Sequence, residues 1–148
     1  SDVCSPDLAV DKLLEGVDGV VHLGGVSVER PFDEILPANI VGIYNLYEAA
    51  RKHGTRRIVF ASSNHVTGFY KQSETVTPTM PVRPDGYYGL SKAFGENIAR
   101  FYFAQAHKIL IFIIMTNKQN IVCLLGTTCL YENSVALRRG KSRTINYY

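Results

Sequence analysis

A chain of 148 residues has room for one hydrophobic core and excludes separate cofactor and substrate domains. Its 46% hydrophobic and 20% charged residues are ordinary for a globular protein and exclude wholesale disorder. The net charge of +3 is unevenly placed: residues 1–107 carry 10 basic and 12 acidic side chains, whereas residues 108–148 carry 6 and 1.

The first strong pattern is Gly19-Val-Val-His-Leu23, an apolar run closed by Gly24-Gly25, which predicts a strand buried on both faces of a parallel sheet. Ile40, Ile43, Leu46, Tyr47 and Ala50 then recur at helical spacing. Gly54, after Arg51, Lys52 and His53, is a stop signal, and the start is expected near Pro37, since proline is tolerated in a first turn. Arg57-Ile-Val-Phe-Ala-Ser62 reads as a second buried strand, completing a right-handed crossover unit. Polar residues with Pro78, Pro81 and Pro84 make Asn64 to Gly86 a long surface loop. From about Tyr87 to Ala106 a long helix is predicted, with Leu90, Phe94, Ile98, Ala99, Tyr102 and Phe103 as its apolar stripe. Two strand-like runs follow, Ile109 to Met115 and Ile121 to Leu125, and beyond them the pattern dissolves. Alternating strands and helices imply an α/β fold around a parallel sheet.

Chemistry concentrates in Tyr88-Gly-Leu-Ser-Lys92, where the tyrosine and lysine stand four apart and share one helix face. A free tyrosine, with a pKa of about 10, is a poor base at neutral pH, but a neighbouring ammonium favours the phenolate. Such a pair can take a hydroxyl proton while hydride leaves the adjacent carbon. On spacing alone, the two are more often a core residue and a solvated charge. Ser63 adds weight, because it directly follows the second strand, at the carboxyl end where open α/β sheets place ligands. By itself a serine there is usually a turn residue.

Four blocks together resemble the extended short-chain dehydrogenase/reductases, the NAD-dependent epimerases and dehydratases, and among these the uronate dehydrogenases. They are Asp18-Gly-Val-Val-His-Leu-Gly-Gly-Val-Ser-Val-Glu-Arg-Pro-Phe32, Asn39-Ile-Val-Gly-Ile-Tyr-Asn-Leu-Tyr-Glu-Ala-Ala-Arg51, Ile58-Val-Phe-Ala-Ser-Ser-Asn-His65 and Arg83-Pro-Asp-Gly-Tyr-Tyr-Gly-Leu-Ser-Lys92. The resemblance implies that Ser63, Tyr88 and Lys92 are the catalytic serine, tyrosine and lysine, with Lys92 also holding the ribose of NAD. It implies that Leu23, Gly24 and Gly25 pass along the dinucleotide, and that Asp2 and Val3 touch the adenine, with Asp7-Leu8 as the competing assignment. Ser27, Asn64 and His65 would line a sugar pocket, a task that suits short donors and acceptors. Asn39 would brace the sheet.

Two departures limit what the resemblance implies. The family's Gly-x-x-Gly-x-x-Gly turn, whose amides cradle a pyrophosphate, is absent from these residues. After His107 no residue matches the family's carboxylate-binding arginine. Residues 1–107 are therefore expected to form a partial Rossmann-like, doubly wound sheet that lacks its first strands, with the catalytic helix. Residues 108–148 are expected to be a divergent basic segment foreign to the fold, and the chain to be a fragment.

The implied activity is oxidation of the anomeric hydroxyl of a hexuronate to an aldarolactone with NAD. A nucleotide-sugar epimerase or dehydratase, and a non-catalytic fragment, are the alternatives. The partner expected is a small sugar acid, with a homo-oligomer in the full-length family. Cys4, Cys123 and Cys129 are too few and scattered for a disulfide framework or a zinc site, so no metal and a reducing, cytoplasmic setting are expected. No leader opens the chain and Ile109 to Met115 is too short to cross a bilayer, so no membrane is expected. The basic run Arg138-Arg-Gly-Lys-Ser-Arg143 lacks a reading element, so no nucleic acid is expected either.

Overall fold

The computed structural model describes residues 6–77, 79–106, 110–117 and 120–124. Asp2, Val3 and the basic run at residues 138–143 lie outside the described residues. The element order is α1 (Pro6–Leu13), β1 (Gly19–His22), α2 (Phe32–Ile35), a π-helical segment (Leu36–Val41), α3 (Gly42–His53), β2 (Arg57–Ala61), a 3-10 turn (Asn64–Thr67), α4 (Tyr87–Ala106), β3 (Leu110–Asn117) and β4 (Asn120–Leu124).

The strands form one sheet in the order β1-β2-β3-β4. β1 and β2 pair in parallel with Val20 opposite Ile58, and β2 and β3 in parallel with Val59 opposite Phe112. β4 returns antiparallel to β3, so the sheet is mixed at this edge where a wholly parallel one was expected. Such antiparallel edge strands are common on otherwise parallel sheets. The result is the α/β, Rossmann-like architecture that the alternation of elements predicts.

Neither β1 nor β2 is buried on both faces, contrary to the sequence expectation. Ile58 and Phe60 of β2 are buried while Arg57 is exposed and Val59 and Ala61 are only partly covered. In β1 Val21 is 54% exposed. The core lies on one face, where Ile58 and Phe60 meet Val10 of α1, Leu14 just beyond it, Ile43, Leu46 and Tyr47 of α3, and Ala99 and Tyr102 of α4. Apolar content alone therefore overstated how many sides of each strand are covered.

The helix expected to start at Pro37 starts five residues earlier. α2 runs directly into the π-helical segment and then into α3, with Pro37 inside the continuous stretch. Proline has no N–H to donate within a helix, and here it stands at the second position of a segment whose turns are widened. The Gly42 N–H accordingly reaches back five residues to the Pro37 carbonyl. At the other end the chain stops as predicted: Gly54 has φ 70°, and the Gly54 and Thr55 N–H groups both donate to the Ala50 carbonyl.

α4 spans the residues predicted for it, and four of the six stripe residues face the core: Ala99 and Tyr102 are buried, and Phe94 and Ile98 pack against them. Leu90 and Phe103 of the expected stripe are exposed, whereas Gly89, Ser91, Lys92, Ala93, Gly95, Glu96, Ala99 and Tyr102 are covered. The face is narrow and made of small or ionisable groups because it lies close against β2 and the turn that follows. A Cβ on Gly89 would collide with the His65 carbonyl.

α1 is a helix for which no sequence expectation was stated. Asp7 and Leu8, the competing pair for the adenine, stand within this helix, and Leu8 is exposed. α1 is tied to α3 through Asp11, which accepts from Lys52 Nζ at 2.7 Å and pairs with His53 Nε2 at 2.9 Å. Among the described residues no helix is long and apolar enough to cross a membrane.

Within the core, Tyr47 stacks on Tyr102 with ring centroids 5.3 Å apart, and the buried Tyr47 hydroxyl has no hydrogen-bond partner among the described residues. An unmade buried hydrogen bond costs about 1–3 kcal/mol. Tyr47→Phe is therefore expected to stabilise the fold by about 1 kcal/mol in urea unfolding. A loss of stability would show that the hydroxyl is satisfied.

Candidate active site

The carboxyl ends of β1 and β2 meet the first two turns of α4, and there the chain concentrates its ionisable and hydroxyl groups. Lys92 is buried on α4. Its Nζ donates to the Ala61 carbonyl at 2.9 Å and lies 5.1 Å from the centroid of the Phe60 ring and 5.6 Å from that of Tyr88. Burial pushes its amine from the ordinary 10.5 down to about 8.

Ser63 sits two residues beyond β2 in extended geometry and caps the 3-10 turn by accepting from the His65 N–H at 3.2 Å. That turn carries the His65 ring onto Tyr88, edge to face, with centroids 5.6 Å apart. The structure thus brings Ser63, Asn64, His65, Tyr88 and Lys92 to one end of the sheet. The segment expected to be a plain surface loop is ordered at both ends, through Arg83 N–H to the Val66 carbonyl (2.9 Å) and Phe69 N–H to the Arg83 carbonyl (3.0 Å).

Leu23, Gly24 and Gly25 leave β1 at the same end. Leu23 is 73% exposed and Gly25 has φ 112°, a conformation that favours glycine. The loop that follows carries the exposed Ser27 and is fastened to α4 on either side of it. Asn39, buried in the π-helical segment, accepts from the Val26 N–H (2.7 Å) and donates to the Val26 carbonyl (3.0 Å) and to Ser91 Oγ (2.9 Å). Its bonds therefore brace this loop against the helix; bracing of the sheet itself is not among them. Beyond Ser27, the Glu29 carboxylate accepts from the Tyr87 and Tyr88 N–H groups at 2.8 and 2.9 Å. A carboxylate there satisfies two orphan donors and complements the helix dipole.

Several contributors escaped the sequence reading. Glu29 has no local signal, since its partners are 58 and 59 residues away. Glu96 is buried one turn beyond Lys92 and accepts from Ser62 Oγ at 2.6 Å; its carboxyl is raised above the usual range, mainly by burial. The signal available was a carboxylate four residues from Lys92 on the same face. His22 ends β1, stacked on Phe60 with centroids 5.9 Å apart. A groove between α1 and α3, lined by Leu8, Asp11, Asn45, Glu48 and Lys52 among others, includes none of the candidate catalytic or sugar-pocket residues. Among the described residues no three His, Cys, Asp or Glu side chains converge as a metal site.

The class defined by this arrangement is the Rossmann-like α/β fold with a tyrosine-lysine helix at the carboxyl edge of its sheet. The chain belongs to the NAD dependent epimerase/dehydratase family, which it matches over residues 1–119. It is 65% identical over 95 residues to a uronate dehydrogenase of Pseudomonas syringae pv. tomato, an alignment covering 64% of this chain and 34% of that protein. A tyrosine-to-alanine variant of the uronate dehydrogenase from Agrobacterium tumefaciens, solved with NAD, superposes with a TM-score of 0.67 at 59% identity, over 69% of this chain and 38% of that one. A glucuronic acid dehydrogenase from Chromohalobacter salexigens gives 0.66 at 55% identity, over 68% and 38%. The chain spans about a third of the length of the curated relatives it matches.

The site has a measurable acid signature. Burial, and secondly the Lys92 charge, lower the His22 imidazole from 6.5 to about 4. Between those values the unfolded chain binds the proton and the folded chain does not, so stability must fall as pH falls. His22→Gln is expected to lose less stability than the wild type between pH 6.5 and 4 in urea unfolding. Parallel losses would show that His22 is not shielded.

Proposed function

We propose that this chain carries the catalytic part of an NAD-dependent hexuronate dehydrogenase. The observation that carries the reading is the buried Lys92 amine, facing the Tyr88 ring and held on the carbonyl of Ala61, two residues before Ser63 in the chain. Its relatives named uronate dehydrogenase, at 60 to 65% identity, supply the substrate class.

In this reading Tyr88 takes the proton of the anomeric hydroxyl. The Lys92 ammonium, facing the ring, stabilises the charge that develops on the phenol oxygen, and Ser63 Oγ holds the reacting oxygen. Ser27, Asn64 and His65 position the sugar's other hydroxyls. The residues at the sheet edge suit a dinucleotide: exposed Leu23 offers an apolar surface, Gly24 and Gly25 offer bare backbone, and Lys92 and Tyr88 offer groups for a ribose. NAD, when bound, accepts the hydride that leaves the anomeric carbon, giving a lactone, reduced cofactor and a proton. The sugar acid is the small-molecule partner, and the setting is cytoplasmic.

Given glucuronate or galacturonate, the protein is expected to accumulate reduced NAD. Tyr88→Phe should lower that rate by about 10³-fold with unchanged circular dichroism. Undiminished turnover would reject Tyr88 as the base. Isomerised sugar without reduced cofactor would instead make the protein an epimerase.

A further inference from the structure

His65 is half-exposed beside Tyr88, and its Nδ1 lies 2.9 and 3.0 Å from the two carboxylate oxygens of Asp85. An ionised carboxylate only accepts hydrogen bonds. Nδ1 must therefore carry the proton, which in the neutral ring leaves Nε2 as an acceptor.

The fold fixes Asp85 for this contact. Its own N–H donates to the His65 carbonyl at 3.4 Å, two residues past the Arg83 to Val66 bond, so the strand of loop bearing Asp85 runs beside the turn bearing His65. The carboxylate also fills the space that a side chain on Gly68 would need, since a Cβ there would collide with it. Backbone on one side and an empty glycine position on the other leave the carboxylate facing the ring.

We infer that Asp85 is a positioning residue that holds His65 in its Nδ1–H form, so that Nε2 accepts a hydrogen bond from a hydroxyl of the bound sugar. The identity of that sugar rests on the reading above, whereas the tautomer does not. A histidine in the opposite tautomer would present a donor at Nε2 and reverse this hydrogen bond, so that the hydroxyl proton would need another acceptor, and a site built to pair a substrate hydroxyl discriminates strongly against analogues lacking it. Asp85 thereby sets substrate preference without touching substrate.

Ring-nitrogen NMR of ¹⁵N-histidine protein, recorded with the ring neutral, reads the tautomer directly. The wild type is expected to show Nδ1–H, and Asp85→Ala to shift toward Nε2–H. In turnover, Asp85→Ala should raise KM for glucuronate by about 10-fold while kcat changes far less, the loss of one hydrogen bond. A wild-type ring protonated mainly at Nε2 overturns the inference without any need for the variant, and so does an Asp85→Ala ring unchanged from the wild type. The expected tautomer shift in a protein that does not oxidise glucuronate would uphold the role of Asp85 and reject only the reading of the reaction.

Discussion

Lys92 must keep an ammonium group at the covered end of β2, where water cannot solvate it, and the surrounding structure is arranged around that requirement. A buried charge costs several kcal/mol unless the protein replaces its hydration. The replacement consists of the Ala61 carbonyl at 2.9 Å and the faces of the Phe60 and Tyr88 rings. Each of these partners constrains the fold. The carbonyl must be left free at the end of a parallel strand, Phe60 must point inward, and α4 must come near enough for a four-carbon side chain to reach the sheet. Small residues on the buried face of α4 answer the last demand, and Asn39 bonds to Ser91 within it.

The same close approach links charge burial to chemistry. One turn beyond Lys92, Glu96 reaches Ser62, while Lys92 reaches Ala61. Two side chains of one helix thus grip successive residues of β2's end, and the next residue is Ser63. The serine hydroxyl is placed by bonds made on its N-terminal side, and its own capping bond to the His65 N–H aims the following turn at Tyr88. Glu29, gripping the other end of the helix backbone, closes the loop that carries Ser27 over the same region. Residues from four separated segments converge without a contiguous motif to hold them.

Local physics made part of this legible. Gly54 after three basic residues marks the end of α3, because a left-handed position is cheap only for glycine, and the Tyr87–Ala106 helix declares itself through twenty residues with no proline. The spacing of Tyr88 and Lys92 identified a shared face. What remained hidden depends on distant partners. Pro37 reads locally as a helix start, yet a π-helical turn accommodates it inside a longer helix. Leu90 and Phe103 read as core because hydropathy counts side chains and not distances to β2; the tight contact selected glycine, serine and alanine instead. Glu29, Asp85 and Glu96 are ordinary surface acids until the fold gives each one a specific partner.

The site depends most on the burial of Lys92, and titration of its amine measures that burial directly. The ¹³Cε shift of Lys92, followed against pH in selectively labelled protein, is expected to show a midpoint near 8. A midpoint at the ordinary 10.5 would mean a solvated amine, and would contradict the placement of Lys92 on the Ala61 carbonyl beside Tyr88.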